Sequence, residues 1–211
     1  MRLTKFVHAC VLAEEGDKVA LFDPGSFSWD SGLINIDNLN KLDAIVITHE
    51  HFDHFHLPAI QALVKKFPNV QIITTPSVVK QLSENGIQNA SSEGNEFIKI
   101  FSTKRHAPLA PFGEAPENIA VHFADKLTVG GDRHDLEESK EILALTATAP
   151  WGSMLEAANM ALKLKPKSIF PVHDWHWNDQ ARSGSYDMFE SVFDRNQIKF
   201  IKTVDGQSFE L

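Results

Sequence analysis

The chain of 211 residues carries one cysteine, Cys10. A lone thiol closes no internal disulfide, so a packed core has to hold the fold. It also suits a reducing compartment, and the expected location is the cytoplasm. No apolar run approaches the ~20 residues of a membrane span, so no membrane partner is expected. The opening segment "MRLTKFVHACVLAEEGD" has only a short apolar part, broken by His8, and no processing site stands out. It reads as an N-terminal strand rather than a signal peptide. Positive charge is scarce as well: 20 Lys and Arg stand against 28 Asp and Glu, a formal net charge of −8. A nucleic-acid partner is therefore not expected, because its footprint would be basic. Internal repeats, low-complexity tracts and long linkers are also missing.

What is present is ordinary for a globular protein, with 43% hydrophobic and 23% charged residues. A chain of this length can bury roughly 70–75% of its unfolded surface. One domain over residues 1–211 is expected. "ALFDPG" reads as a buried strand ended by a Pro-Gly turn, and "AIVIT" as a strand covered on both faces. "LPAIQALVKKFP" places Ile60, Leu63, Val64 and Phe67 on one helical stripe. "SVVKQLSENG" suggests a helix with Ser77 as N-cap and Gly86 as stop. "NIAVHFADKLTVGGD" suggests a hairpin turning near Asp125-Lys126. "SMLEAANMALKLKP" opens on a capping box, Ser153 with Glu156. "ILALTAT" and "SIFPV" read as strands and "SYDMFESVFDRN" as a helix, with two short strands closing the chain. Residues 90–118 are the least regular stretch.

The chemistry concentrates in "ITHEHFDHFH", which packs four of the ten histidines into ten residues after a buried strand. In extended chain, alternate residues face the same way, so His49 and His51 can point at one spot. A following turn can bring Asp53 and His54 to a second spot nearby. Imidazole nitrogen and carboxylate oxygen suit zinc, iron or manganese. Glu50 alternates away from the pair, and His56 reads as peripheral. His106, Asp132 and His173 each stand where an expected strand gives way to loop, a usual place for functional groups. Cys10 reads as core.

"HEHFDH" matches the His-x-His-x-Asp-His signature and resembles the metallo-β-lactamase-fold hydrolase superfamily. A later His, a Gly-Asp and a His after a strand follow in that family's order, and "FDPGS" resembles its early aspartate motif. The segment from "GGDRHD" to "FPVHDW" is similar to the small single-domain branch that includes ascorbate-6-phosphate lactonase-like proteins. The resemblance implies an α+β fold: a four-layer αββα sandwich of two mixed β-sheets with outer helices. It also implies two divalent transition-metal ions, zinc first, with manganese or iron as alternatives. His49, His51 and His106 would bind one ion. Asp53, His54 and His173 would bind the other, Asp132 would bridge, and Asp23 would support the metal loop. Two flanks depart from the family pattern: His106 lies between Arg105 and Ala107 rather than beside glycine, and "GGDRHD" replaces the usual Gly-Asp-Thr. Asp125 and Asp135 are the fallback bridges.

The implied function is hydrolysis of a small ester, lactone or phosphoester by a metal-activated water, with Asp53 able to orient that water or carry its proton. His134 is either a proton donor in the pocket or a loop histidine. Trp175 and His176 either wall the substrate pocket or pack under the last helix. Trp151 stands at a helix start, as a pocket residue or a hydrophobic staple. The rivals are a phosphodiesterase or nuclease on the same core and a non-catalytic metal-binding protein. Acidic charge and small size speak against the first, and a complete set of ligand-type residues against the second. A redox diiron site would carry a carboxylate where His51 stands. The partner expected is a small molecule; the oligomeric state is open.

Overall fold

The structure, a computed structural model, describes residues 1–211. The first half runs β1 (Arg2–Lys5), β2 (Val11–Glu15), β3 (Lys18–Phe22), α1 (Ser26–Asp30), β4 (Ala44–Val46), α2 (Leu57–Lys66), β5 (Gln71–Ile73), α3 (Pro76–Glu84) and β6 (Ala90–Ser91). The second half runs β7 (Ile98–Ser102), β8 (Ala120–Phe123), β9 (Leu127–Val129), β10 (Ile142–Thr146), α4 (Met154–Leu164), β11 (Ser168–Val172), α5 (Asp179–Asp194), β12 (Lys199–Phe200) and β13 (Ser208–Glu210). One sheet has the order β13-β1-β2-β3-β4-β5-β6, the other β12-β11-β10-β9-β8-β7. Both are mixed. The first is antiparallel from β13 to β3 and parallel from β3 to β6, and the second antiparallel from β7 to β9 and parallel from β9 to β12.

Strand alternation builds four layers. Phe22, Val46, Phe123, Val129 and Phe170 point between the sheets and form the inner core. Their neighbours Leu21, Ile45 and Ile47 point outward, under Ile60 and Leu63 of α2 and Val78 and Leu82 of α3. On the far side, Leu143, Leu145 and Ile169 pack under Ala157 and Met160 of α4 and Phe189 and Phe193 of α5. The fold is the expected αββα sandwich. β4 is fully buried on both faces, which is why its sequence shows no polar alternation.

Local chemistry sets the ends of the elements. The capping box of α4 is present: Ser153 Oγ accepts from Glu156 N–H at 3.3 Å, and Glu156 Oε2 accepts from Ser153 N–H at 2.7 Å. The β8–β9 hairpin turns through Ala124 and Asp125, both left-handed at φ 50° and 55°, which matches the strand twist.

Three expectations need correction. The N-terminal strand is a hairpin, because Phe6 N–H donates to Cys10 O at 2.8 Å and His8 takes φ 65° between β1 and β2. The turn falls at His8, the one polar residue between the apolar pairs Phe6-Val7 and Ala9-Cys10. α3 is capped by Thr75, whose Oγ1 accepts from Val78 N–H, with Pro76 at the first helical position; Ser77 instead donates its N–H to Glu117. α5 begins before "SYDMF", because Asn178 caps it by accepting from Ala181 N–H at 2.8 Å.

The pairing directions matter for the site. β1, β3 and β4 run the same way in the first sheet, and β7, β9, β10 and β11 run the same way in the second. The loops that follow these strands converge at one end of the sandwich.

Candidate metal centre

Backbone geometry sets the loop after β4 first. A Cβ on Gly25 would lie 1.8 Å from the Asp53 carbonyl oxygen, so only glycine lets the loop after β3 lie against this segment. Ser26 N–H donates to Phe52 O at 2.8 Å and locks the contact. Asp23, left-handed at φ 44°, then organises the loop with one carboxylate. Its Oδ1 accepts from Thr48 N–H at 2.7 Å, and its Oδ2 accepts from Thr48 Oγ1–H at 2.9 Å and from His54 Nδ1–H at 2.9 Å. Asp132 is reached through Gly131, whose Cβ would strike Asn118 Oδ1 at 2.2 Å. Asp132 O accepts from Ala107 N–H at 3.0 Å, tying it to the loop that carries His106.

Two groups of four donors result. His49, His51, His106 and Asp132 form one; His8, Asp53, His54 and His173 form the other. Within each group the donor atoms lie within 4.8 Å of one another. Asp132 stands between them: its Oδ2 is 3.2 Å from His106 Nε2 and 3.1 Å from His173 Nε2, and its Oδ1 is 3.2 Å from His54 Nε2. The structure thus brings together all seven residues nominated as ligands. Neither fallback bridge joins them. Asp125 pairs with Lys140 at 2.8 Å on the hairpin turn, and Asp135 pairs with Arg133. Glu50 accepts from Gln81, and His56 precedes α2 beside Trp29, both away from the donors.

These donors fit metal ions. His54 Nε2, His173 Nε2 and Asp132 Oδ1 are buried, face one another and make no hydrogen bond. Their opposite ring nitrogens are held: His54 Nδ1–H by Asp23, His106 Nδ1–H by Ala107 O at 2.6 Å, and His173 Nδ1–H by Thr148 O at 2.7 Å. His49 Nδ1 lies 3.1 Å from Thr48 Oγ1. Holding the far nitrogen fixes the tautomer and turns Nε2 toward an ion, the arrangement usual at metal sites.

Electrostatics agree. Burial opposes the charge of Asp132, but His173 and His54 outweigh it and hold its pKa well below the carboxylate range. Burial pushes His49 well below the usual histidine range, leaving a neutral imidazole ready to donate. For His54, burial is outweighed by Asp132 and Asp23, which raise it.

A cavity of about 280 Å³ opens beside the first group, lined by residues that include His106, Arg133, His134, Trp151 and Glu156. A larger one, of about 650 Å³, lies around Lys41, Lys66 and Phe97 at the beginnings of β4 and β5 and holds no donor group. Chemistry favours the smaller. Trp151 lines it, and its Nε1–H donates to Asp132 Oδ2 at 3.2 Å. His134 lines it too, with Nε2–H given to Thr146 O at 2.8 Å and a buried Nδ1 left without a partner. Trp175 and His176 lie outside its lining. Trp175, 48% exposed, stacks on Phe27 at 3.9 Å, near the second group. His176 is exposed next to Trp177. Cys10 is fully buried in the core.

His8 is the residue sequence reasoning passed over. It is 2% exposed, its Nε2 lies 3.0 Å from Asp53 Oδ2, and its ring is tilted against His173 with centroids 3.9 Å apart. A histidine breaking an otherwise apolar N-terminal run was the available signal.

With this geometry in place, comparison with known proteins defines the class. The Beta-lactamase superfamily domain family matches residues 2–106. Protein Rv0786c of Mycobacterium tuberculosis is 32% identical over 190 residues, covering 82% of this chain and 84% of that protein. The chain belongs to the beta-lactamase superfamily, in its metallo-β-lactamase-fold branch. A UPF0173 metal-dependent hydrolase of Pyrobaculum islandicum is 28% identical over 200 residues, again 82% of this chain and 84% of the relative. Among solved structures, the metallo hydrolase Igni18 of Ignicoccus hospitalis superposes with TM-score 0.71 at 17% identity, covering 100% of this chain and 98% of the other. An isothiocyanate hydrolase from Delia radicum gut bacteria gives 0.69 at 19% identity, covering 100% and 99%. These two likenesses concern the fold.

Proposed function

We propose that this protein is a metal-dependent hydrolase, working as one domain over residues 1–211 on a small ester, lactone or phosphoester. The observation that carries the reading is the pair of four-donor groups sharing Asp132 between them. The relative from Pyrobaculum islandicum, described as a metal-dependent hydrolase, supports it. His49, His51 and His106 would hold one ion, Asp53, His54 and His173 the other, and Asp132 would serve both. Nitrogen and oxygen donors suit zinc, manganese and iron, and zinc is the ion proposed. When bound, such ions polarise the oxygen of the bond under attack and activate a water molecule.

The chain's own residues supply the rest. For Asp53, burial favours the neutral acid, but the His8 hydrogen bond and the nearby His54 outweigh it and keep the carboxylate ionised, able to orient or accept a proton. His134 has committed its Nε2–H to Thr146 O, and its bare Nδ1 is buried against Gly152, which leaves the ring a cavity wall. Trp151 narrows the cavity over His106, their ring centroids 5.3 Å apart. Trp175 with Phe27 offers an aromatic surface by the second group. Asp135 and Glu156 line the cavity, and Arg133 is paired with Asp135, so an uncharged substrate is favoured over a polyanion. No helix is long and apolar enough to cross a membrane; a cytoplasmic setting is proposed.

The test is elemental analysis of protein expressed with supplemented metals, joined to a panel of esters, lactones and phosphoesters before and after chelation. About two transition-metal ions per chain and chelator-sensitive hydrolysis are expected. Absence of any bound transition metal overturns the reading.

A further inference from the structure

We infer that His8 is a positioning residue for Asp53, giving its Nε2–H to Asp53 Oδ2, and is not a fourth protein ligand of the second donor group. The inference rests on the metal-centre reading above. By distance alone His8 belongs to that group. Its far nitrogen separates it from the others. A ligating imidazole bound through Nε2 carries its proton on Nδ1, and a buried N–H without an acceptor is costly. His54, His106 and His173 each have that proton accepted, by Asp23, Ala107 O and Thr148 O. His8 Nδ1 is buried with no partner, and its ring packs edge-on against Phe27 at 5.4 Å. The other tautomer lessens the cost: the proton sits on Nε2, 3.0 Å from Asp53 Oδ2, and the buried Nδ1 is a bare acceptor, which is tolerated better than an orphaned N–H.

The fold holds the ring in this position. His8 O accepts from His173 N–H at 3.2 Å, and Val7 O accepts from Ser28 Oγ–H, so the β1–β2 turn is pinned to β11 and to α1. His8 thus holds the Asp53 oxygen that also faces His173, since Oδ2 lies 4.0 Å from His173 Nε2. Asp53, His54, His173 and the shared Asp132 would then hold the second ion, with His8 orienting Asp53 from behind.

The experiment compares wild type, His8→Gln and His8→Phe, stripped by chelation and titrated with cobalt(II). Gln places an amide N–H near the position of Nε2, whereas Phe keeps the ring and removes the donor. In His8→Phe both ions should still bind, the weaker one with affinity reduced about 10–100-fold. In His8→Gln most of that affinity should return, and in both variants the visible cobalt absorption should keep its wild-type shape, since no nitrogen ligand is removed. Loss of one ion in His8→Gln, or a spectrum showing one imidazole fewer, makes His8 a ligand and overturns the inference. Equal affinities in all three proteins overturn it as well. If circular dichroism shows His8→Phe unfolded, His8→Gln decides: wild-type spectrum and affinity support positioning, and their loss opposes it. Wild type that binds no cobalt defeats the metal-centre reading itself, a different outcome from either.

Discussion

Trp151 gives its indole N–H to the same Asp132 oxygen that lies 3.2 Å from His106 and 3.1 Å from His173. A cavity-lining aromatic ring thereby fixes the orientation of the carboxylate shared by both donor groups. Trp151→Phe keeps the ring and removes the donor. Metal affinity or turnover should fall about 10-fold or more, with thermal stability close to wild type. Metal titration and steady-state kinetics check this; unchanged values would show the bond to be incidental.

Replacing Asp132 with Ala should remove metal from both groups. Asp125→Ala and Asp135→Ala should each leave metal content unchanged, because these carboxylates pair with Lys140 and Arg133 outside the donors. Elemental analysis of the three variants is decisive, and metal retained in Asp132→Ala would mean that each group binds without the shared carboxylate.

Cys10 should be inert in the native state. Burial pushes its thiol far above the ordinary range, so almost no thiolate exists near neutral pH. A thiol reagent should label the denatured chain once and the native chain not at all. Rapid native labelling would show that the β1–β2 turn opens readily.

His122 provides a pH test away from the metal centre. Its ring stacks on Phe101 at 4.0 Å, and burial lowers its pKa despite the nearby Glu138, which acts in the opposite direction. The folded pKa is below the unfolded value of about 6.5. As pH falls below about 6.5, the unfolded chain takes up the proton first, so stability from this residue is full above that pH and shrinks below it. The urea midpoint of wild type should therefore fall relative to that of His122→Phe between about pH 7.5 and about pH 5.5. A separation independent of pH would show that His122 does not change its protonation on folding.

The legible part of the fold came from local pattern. β4 announced itself by unbroken apolar residues, α4 by Ser153 and Glu156, and the β8–β9 hairpin by its apolar alternation. The donors of "HEHFDH" were legible for the same reason, since six residues carry their own geometry. His106, Asp132 and His173 were legible only as an ordered set after strand ends. His8 was not legible, because its place depends on a turn pinned by β11, 165 positions further along. Trp175 and His176 show the same limit: a stacking partner such as Phe27 lies in a distant segment, and no local spacing announces it.

The donor residues come from both sheets and gather at one end of the sandwich, while around Lys41 and Phe97 the other end holds an open cavity and no donor group. Ions bound at the donor end would clasp the two sheets there as a spine holds the boards of a book. Binding energy spent on the native state resists only those openings that release the ions. Fluctuations confined to the far edge, where short β6 closes the first sheet beside β5, would feel little of it. Metal occupancy would thus set the direction from which the molecule comes apart, as well as the free energy needed to do so.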